Sequence, residues 1–177
     1  MNSDVTVPRT STPPPKVLFL HGWSSDGSMK TGFLRSLGYA VRTPKLSDWS
    51  FAAALRTAQD ACAEYEPDVV VGSSRGGAVA MALERPDLPL VLLAPAWRFC
   101  GVRPVVWPSE AVVIHSPADR RVPLRDSVEL CLWNAFIRLV QAGGDHRLND
   151  PDARAALAGA VESLLSGRAE MGTIADE

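Results

Sequence analysis

The stretch Val69-Val70-Val71-Gly72-Ser73-Ser74-Arg75-Gly76-Gly77-Ala78 decides the fold of this chain. Three β-branched residues in succession are typical of a strand that is covered on both faces, as in a parallel sheet. Gly72-x-Ser74-x-Gly76 then matches a sharp strand-to-helix turn that carries a serine at its apex. Small residues are required on either side because the two backbones nearly touch there. Ser74 is therefore the candidate nucleophile.

Two other interpretations of this turn stay open. It is also compatible with a glycine-rich connection that carries no chemistry. A phosphate cradle is the second alternative, since a helix N-terminus offers free N–H groups. The chain contains neither Gly-Lys-Ser/Thr after this turn nor a Gly-x-Gly-x-x-Gly motif, which disfavours phosphate binding.

Short apolar runs alternate with helical patterns on both sides of this turn. The pattern predicts strands at 17–20, 39–43, 69–71, 88–93, 111–115 and 136–140, and helices at 29–37, 48–65, 78–84, 122–134 and 152–165. Either Ser47 or Asp48 is the candidate N-cap of the second helix. Such alternation indicates an α/β fold, with a mostly parallel sheet of about six strands and helices on both faces.

Length and composition place the chain among ordinary globular proteins of one domain. It has 177 residues, of which 46% are hydrophobic and 21% charged. We expect a flexible, proline-rich leader at 1–15, one folded domain at 16–166 and a polar tail at 167–177. The three cysteines are widely spaced, so the sequence predicts neither a disulfide framework nor a metal site.

Charge and hydropathy exclude several classes of partner. The net charge of −2 gives no electrostatic reason to expect nucleic acid or an anionic membrane as a partner. No apolar stretch approaches the roughly 20 residues of a membrane span. The first 15 residues lack the apolar region of a secretory signal, so we expect a cytoplasmic protein. The oligomeric state stays open.

A serine hydroxyl needs a base and an orienting acid to become a nucleophile. Of the three histidines, His146 lies in a glycine-rich loop after the last strand, whereas His21 and His115 sit at strand ends that suit other roles. Asp119 follows the strand at 111–115, which places it at the same sheet edge as the serine. Asp145 and Asp126 remain alternative acids. The predicted triad is therefore Ser74, Asp119 and His146.

Acyl transfer also requires backbone N–H groups that meet the developing oxyanion. One should come from Arg75, directly after the nucleophile, and the other from the loop His21-Gly22-Trp23 after the first strand. Together with Leu18-Phe19-Leu20 and Val71 to Gly77, this loop resembles the α/β-hydrolase superfamily, in particular its short esterases without a large lid domain. The resemblance covers the chain from about Val17 to Leu165.

The resemblance implies a cofactor-free acyl-enzyme mechanism, with no metal, and it assigns the second oxyanion donor to Trp23. Two departures from the superfamily pattern are expected. The first hairpin of the full fold is missing, and the connection of about 18 residues between the strands at 88–93 and 111–115 leaves a minimal cap. The charge of Arg75 is unusual beside a nucleophile, and we expect it to be exposed. It is either a surface charge without a role in binding or one that favours acidic substrates.

Three aromatic residues in that short connection are candidates for the substrate pocket. Trp97 follows the strand end most closely and is the first choice, with Phe99 and Trp107 as further candidates. The alternative is that all three cover the sheet edge. Trp49 and Trp133 are expected to pack along helices.

These predictions describe a serine hydrolase that cleaves small carboxylic esters or thioesters through an acyl-enzyme. Two alternatives stay open: a hydrolase-fold binding or regulatory protein with little turnover, and an amidase or acyltransferase that uses the same triad.

Overall fold

The computed structural model describes residues 13–103 and 110–174, with side chains up to residue 167. The six strands of its sheet pair in parallel throughout, in the order β2-β1-β3-β4-β5-β6. The strands are β1 (Lys16–Leu20), β2 (Ala40–Arg42), β3 (Val69–Ser73), β4 (Leu90–Leu93), β5 (Ala111–His115) and β6 (Ile137–Gln141). The helices are α1 (Ser28–Ser36), α2 (Phe51–Tyr65), α3 (Arg75–Met81), α4 (Leu124–Trp133) and α5 (Pro151–Ile174). The predicted parallel sheet is confirmed.

Helices cover both faces of the sheet, as predicted. Leu18 and Leu20 of β1 pack in one layer with α2, α3 and α4, whereas Val17 and Phe19 pack in the opposite layer with α1 and α5. Because successive side chains of a strand point to opposite faces, each central strand is apolar at every position. Val69, for example, is completely buried, although its neighbour in sequence faces the other layer.

The strand order indicates where on the sheet a functional site can form. From β1 the chain moves outward to β2, and it then returns to the other side of β1 to form β3. The connections that leave the carboxyl ends of β1 and β3 therefore diverge. In open parallel sheets, ligands bind in the crevice that such a switch creates.

Some element boundaries differ from those predicted. Helix α3 begins at Arg75 rather than at residue 78, because Ser74 itself is its N-cap. Helix α2 begins three residues late, since the Ser50 hydroxyl caps it by accepting from the Ala53 amide at 3.1 Å. Helix α5 extends nine residues past the predicted end. Most of the predicted leader, residues 1–12, and residues 175–177 of the tail lie outside the described residues.

Two further features bear on the sequence predictions. No helix in the part of the chain that the structure describes is both long and apolar enough to cross a membrane. Cys62, Cys100 and Cys131 are all free thiols.

Candidate active site

Ser74 lies at the apex of the turn between β3 and α3. Its backbone has φ 53° and ψ −116°, a conformation that costs a non-glycine residue about 1–3 kcal/mol. Two glycines allow the turn to close. A Cβ on Gly72 would lie 2.6 Å from the carbonyl oxygen of Gly76, and a Cβ on Gly76 would lie 2.0 Å from that of Leu20. The close approach of β1, β3 and α3 therefore excludes any side chain at these two positions.

The structure brings together the three residues that were predicted to act as a triad. His146 Nε2 lies 3.0 Å from Ser74 Oγ, and His146 Nδ1 lies 2.6 Å from Asp119 Oδ2. Both distances are those of hydrogen bonds. The Asp119 side chain is completely buried, and that of His146 is 12% exposed. Because an ionised carboxylate can only accept a hydrogen bond, the hydrogen of the neutral His146 ring is on Nδ1. The unprotonated Nε2 faces the Ser74 hydroxyl.

Asp119 accepts three hydrogen bonds and contacts a second imidazole. Its Oδ1 accepts the backbone N–H groups of Arg121, at 2.7 Å, and Val122, at 3.0 Å. Its Oδ2 faces His146 and also His115 Nε2, which lies 3.2 Å away. Burial alone would raise the pKa of this carboxyl, but the hydrogen bonds from His146 and the two amides outweigh it and lower the pKa. Asp119 is therefore kept ionised beside the imidazole.

His115 is a buried neighbour of this pair that the sequence did not reveal. Its Nε2 lies 3.0 Å from the carbonyl oxygen of Val122 and must carry the hydrogen, since a carbonyl only accepts. Its Nδ1 accepts from the Ser127 hydroxyl at 2.6 Å. Burial lowers the pKa of His115, so the ring stays neutral. The same Nε2 lies 3.2 Å from the carboxylate of Asp119, which contacts His146.

The loop that carries His146 is shaped by side chains that accept from its backbone. Asp145 Oδ1 accepts from the amide of Arg147 at 2.8 Å, and Asp150 Oδ2 accepts from that of Gly144 at 3.0 Å. The Ser116 hydroxyl donates to the Gly143 carbonyl at 2.7 Å, which joins this loop to the one that carries Asp119.

The two alternative acids have other partners. Asp145 is engaged by the backbone of its own loop. Asp126 is buried in α4 and lies 3.3 Å from Arg98 Nε. Asp119 is therefore the acid in contact with His146.

The loop after β1 lies directly against the nucleophile. A Cβ on Gly22 would be 3.3 Å from Ser74 Cβ and 3.8 Å from its Oγ. The His21 ring fixes this loop, because Nδ1 donates to the Gly22 carbonyl at 2.8 Å and Nε2 accepts from the Leu46 amide at 3.1 Å. Neither the Trp23 amide nor the Arg75 amide, the first N–H of α3, donates to another described residue.

The prediction that the Arg75 side chain is exposed is wrong, since the residue is only 2% exposed. Its guanidinium carbon lies 5.4 Å from the centre of the Trp23 ring and 5.8 Å from that of the Phe51 ring. Both distances suit cation–π contacts. Nη1 is buried and has no hydrogen-bond partner among the residues described. The turn directs this side chain inward between two aromatic rings, which the sequence position alone did not indicate.

A cavity of about 1260 Å³ lies over Ser74 and His146. Trp23 and Phe99 line it and contact each other edge to face, with ring centres 5.2 Å apart. Trp97 does not line this cavity. It packs in the core at 4% exposure, and its Nε1 donates to the Asp126 carbonyl at 3.1 Å.

The prediction that Trp97 forms the substrate pocket is therefore wrong. The chain turns its ring toward α4, where the indole N–H finds an acceptor. The neighbouring candidate Phe99 lines the cavity instead and is 79% exposed. Trp107 lies outside the described residues.

Within 13–103 and 110–174, no group of three or more His, Cys, Asp or Glu side chains is arranged to hold a metal ion.

Comparison with known families agrees with this architecture. The model of the alpha/beta hydrolase family matches residues 17–173, almost the whole described chain. The chain belongs to the alpha/beta hydrolase family. Membership in this family supports a general hydrolase function. No curated protein matches the chain.

Solved structures of alpha/beta hydrolases share the fold at low sequence identity. Est1E from Butyrivibrio proteoclasticus with ferulic acid bound is 17% identical, with a TM-score of 0.73 over 92% of this chain and 93% of Est1E. Alpha/beta hydrolase domain-containing protein 10 from mouse is 15% identical, with a TM-score of 0.72 over 86% and 90% of the two chains. The esterase domain of a Rhodothermus marinus protein is 22% identical, with a TM-score of 0.63 over 85% of each chain. These likenesses establish the fold.

Three features of this hydrolase site could not be found by reading motifs. His115 precedes Asp119 by four residues, and this spacing alone does not indicate that the two side chains are in contact. Lys30 lies in α1, far along the chain from the triad, and yet its Nζ donates to the Arg147 carbonyl at 2.6 Å. The inward position of Arg75 depends on Phe51, which is remote in sequence.

Proposed function

We propose that this alpha/beta hydrolase is a serine esterase that cleaves small carboxylic esters or thioesters. The observation that carries the proposal is the continuous hydrogen-bonded chain from Ser74 Oγ through His146 to Asp119, at 3.0 and 2.6 Å. It is the arrangement that makes a hydroxyl nucleophilic at neutral pH. The strained backbone of Ser74 presents that hydroxyl to the cavity.

In the first half-reaction, His146 Nε2 takes the hydroxyl proton as Ser74 Oγ bonds to the ester carbonyl carbon. The amides of Trp23 and Arg75 are the proposed donors to the oxyanion. Asp119 stabilises the imidazolium that forms. The imidazolium then gives its proton to the leaving alkoxide or thiolate, which departs and leaves an acyl group on Ser74.

In the second half-reaction, water replaces the alcohol. His146 takes a proton from the water as its oxygen attacks the acyl carbon, and the same two amides receive the oxyanion again. Collapse of the intermediate breaks the bond to Ser74 Oγ, which recovers its proton from His146. The products are the carboxylic acid and the free enzyme, and no cofactor enters either step.

Small acyl groups are favoured because little cap exists to bury a long chain. The connection between β4 and β5 comprises only residues 94–110. The exposed Trp23 and Phe99 rings form an apolar contact beside Ser74. Because Est1E was solved with ferulic acid bound, an ester of ferulic acid belongs in the substrate panel. The three free thiols are compatible with the cytoplasmic location that we propose.

The test is hydrolysis of p-nitrophenyl acetate and butyrate together with labelling by a fluorophosphonate. We expect the wild-type protein to turn over and to label at Ser74. Ser74→Ala should lose at least about 10³-fold in kcat and all labelling while it stays folded, because only weak catalysis remains without the nucleophile. Ser73→Ala is the matched control, a neighbouring serine outside the hydrogen-bonded chain.

Retention of full activity in Ser74→Ala would defeat the proposal. Absence of labelling in the wild-type protein would instead favour a binding or regulatory role. Comparison of a p-nitrophenyl ester with the matching anilide distinguishes an esterase from an amidase. Product analysis with an added alcohol detects acyl transfer.

A further inference from the structure

Three cations surround the segments that carry the proposed base and acid. Lys30, Arg121 and Arg147 all line the cavity that contains Ser74, and we call them the cationic wall. Lys30 Nζ donates to the Arg147 carbonyl at 2.6 Å and to Asn149 Oδ1 at 3.0 Å. The Arg121 amide donates to Asp119. The wall is therefore attached to the two loops that hold the triad.

No residue of the cationic wall forms a salt bridge with another described residue. The acids nearby are engaged by backbone amides instead. Among those lining the cavity, Asp26 accepts from Ser28 at 2.9 Å and Asp48 from Ser24 at 3.3 Å. Beside the wall, Asp145 accepts from the amide of Arg147. These carboxylates accept from backbone amides and form no ion pair with the three cations, whose charged groups can therefore meet a ligand.

Lys30 is the least exposed residue of the cationic wall. Burial lowers its pKa to about 8, an effect that Asp145 opposes and Arg154 reinforces. Its two hydrogen bonds go to neutral oxygens and use two of the three ammonium donors. A half-buried ammonium that contacts no carboxylate leaves its charge available to a bound anion.

Arg75 adds a further positive charge close to the nucleophile. It is buried behind Trp23, which lines the cavity, and forms no ion pair within the described residues. The chain as a whole has a net charge of −2, so this concentration of cations does not reflect an overall excess. The cavity is lined by four basic residues, Lys45 included, and by two acidic ones, Asp26 and Asp48. This excess of positive charge attracts anionic ligands.

We infer that the ester substrate carries a carboxylate, which binds the cationic wall of Lys30, Arg121 and Arg147 while the ester carbonyl lies at Ser74. The substrate class is thus a half-ester of a dicarboxylic acid, or an ester whose alcohol bears the acid group. This inference rests on the proposed function and names its substrate. Lys30 has a second role here, since it also holds the His146 loop.

The test compares two esters that differ in one group. Mono-p-nitrophenyl succinate and p-nitrophenyl butyrate have acyl chains of equal length that end in a carboxylate and a methyl group, respectively. After subtraction of the spontaneous rates, we expect the wild-type enzyme to prefer the succinate in kcat/KM by about tenfold or more, and the preference to fall as ionic strength rises.

Charge-removing substitutions should lower that preference. Arg121→Gln and Arg147→Gln should each reduce the succinate-to-butyrate ratio of kcat/KM by about two- to fivefold, as expected for exposed ion pairs. Lys30→Gln should reduce it further because its amine is less exposed. Arg125→Gln is the control, since this arginine of α4 is 85% exposed and does not line the cavity.

The ratio separates charge recognition from damage to the loop. If Lys30→Gln only displaced His146, both substrates would slow equally and the ratio would stay constant. Equal kcat/KM for the two esters in the wild-type enzyme, or unchanged ratios in all three wall variants, would overturn the inference and leave the esterase proposal intact. Failure to hydrolyse either ester, with no fluorophosphonate labelling, would overturn both.

Discussion

Single residues around Asp119 determine how the proposed base is oriented. His115 Nε2, at 3.2 Å, approaches the same Oδ2 atom that accepts from His146 Nδ1. Two imidazoles therefore contact one carboxylate oxygen. One is buried and neutral, and the other faces the nucleophile. Since every donor reduces the negative charge on that oxygen, His115 affects both the position and the strength of the contact between Asp119 and His146.

We expect His115→Phe to lower kcat/KM for p-nitrophenyl butyrate by on the order of tenfold, because Asp119 loses a neighbour that fixes its position beside His146. The acid limb of its pH profile should move to higher pH, because a carboxylate with one fewer donor attracts the imidazolium more strongly. His115→Gln retains an N–H group near Nε2 and should recover most of the activity. Kinetics over a range of pH check both effects.

A purely structural role of His115 predicts another result. The Phe variant would then lose stability and activity, but the acid limb would stay where it is in the wild-type enzyme. Circular dichroism and the urea midpoint of each variant provide the control for folding.

At the scale of elements, the crossing of β1, β3 and α3 leaves no space at the turn that carries Ser74. The helix starts at the residue after the serine, so its first turn lies against the end of β1. The close packing of these three backbones holds Ser74 in its strained conformation. The same contact brings the loop after β1 beside the nucleophile.

Gly76→Ala should therefore destabilise the protein by about 3 kcal/mol or more, because the added methyl would lie 2.0 Å from the Leu20 carbonyl oxygen and 2.6 Å from that of His21. Neither backbone atom can move without separating α3 from β1. The free energy of unfolding, from urea titration, is the measurement.

Gly32→Ala is the matched control, because it makes the same change in a helix where no atom lies within 4 Å of the added Cβ. It should stabilise the protein by about 0.5–1 kcal/mol. Similar effects at both positions would contradict the importance of the backbone contact.

For the whole molecule, buried ionisable groups make stability depend on pH. Burial lowers the pKa of His115 below its ordinary value of 6.5. Below that pH the unfolded chain takes up a proton that the folded protein excludes, so the free energy of unfolding falls as pH decreases. The hydrogen bonds that lower the pKa of Asp119 below 3.8 add a second loss at more acidic pH, as that carboxylate becomes protonated.

We expect the free energy of unfolding to decrease by up to about 1.4 kcal/mol per pH unit as the pH falls below about 6.5, through His115. His115→Gln should have a flatter dependence over that interval. Urea denaturation at several pH values measures the slopes. Identical slopes in the two proteins would show that His115 does not cause the dependence.

Much of this protein could be predicted from local patterns. The β-branched run at Val69 to Val71 and the alternation of strands with helices predicted the parallel sheet, because a strand covered on both faces has no room for polar side chains. Ser74, Asp119 and His146 follow β3, β5 and β6, and this placed the three residues at one edge, since the carboxyl ends of parallel strands lie together there. Element ends were less accurate where several residues could cap a helix: the structure uses Ser50, and not Ser47 or Asp48, as the N-cap of α2.

The direction of individual side chains was decided only by the tertiary structure. Arg75 and Trp97 are buried, whereas Trp49 is 98% exposed and Trp133 65% exposed, although both were expected to pack along helices. Sequence position assigns a residue to a loop or a helix, but its side chain follows whichever neighbour the fold supplies. The contacts of His115 with Asp119 and of Lys30 with the His146 loop arise in the same way, because they join segments that only the assembled sheet brings together.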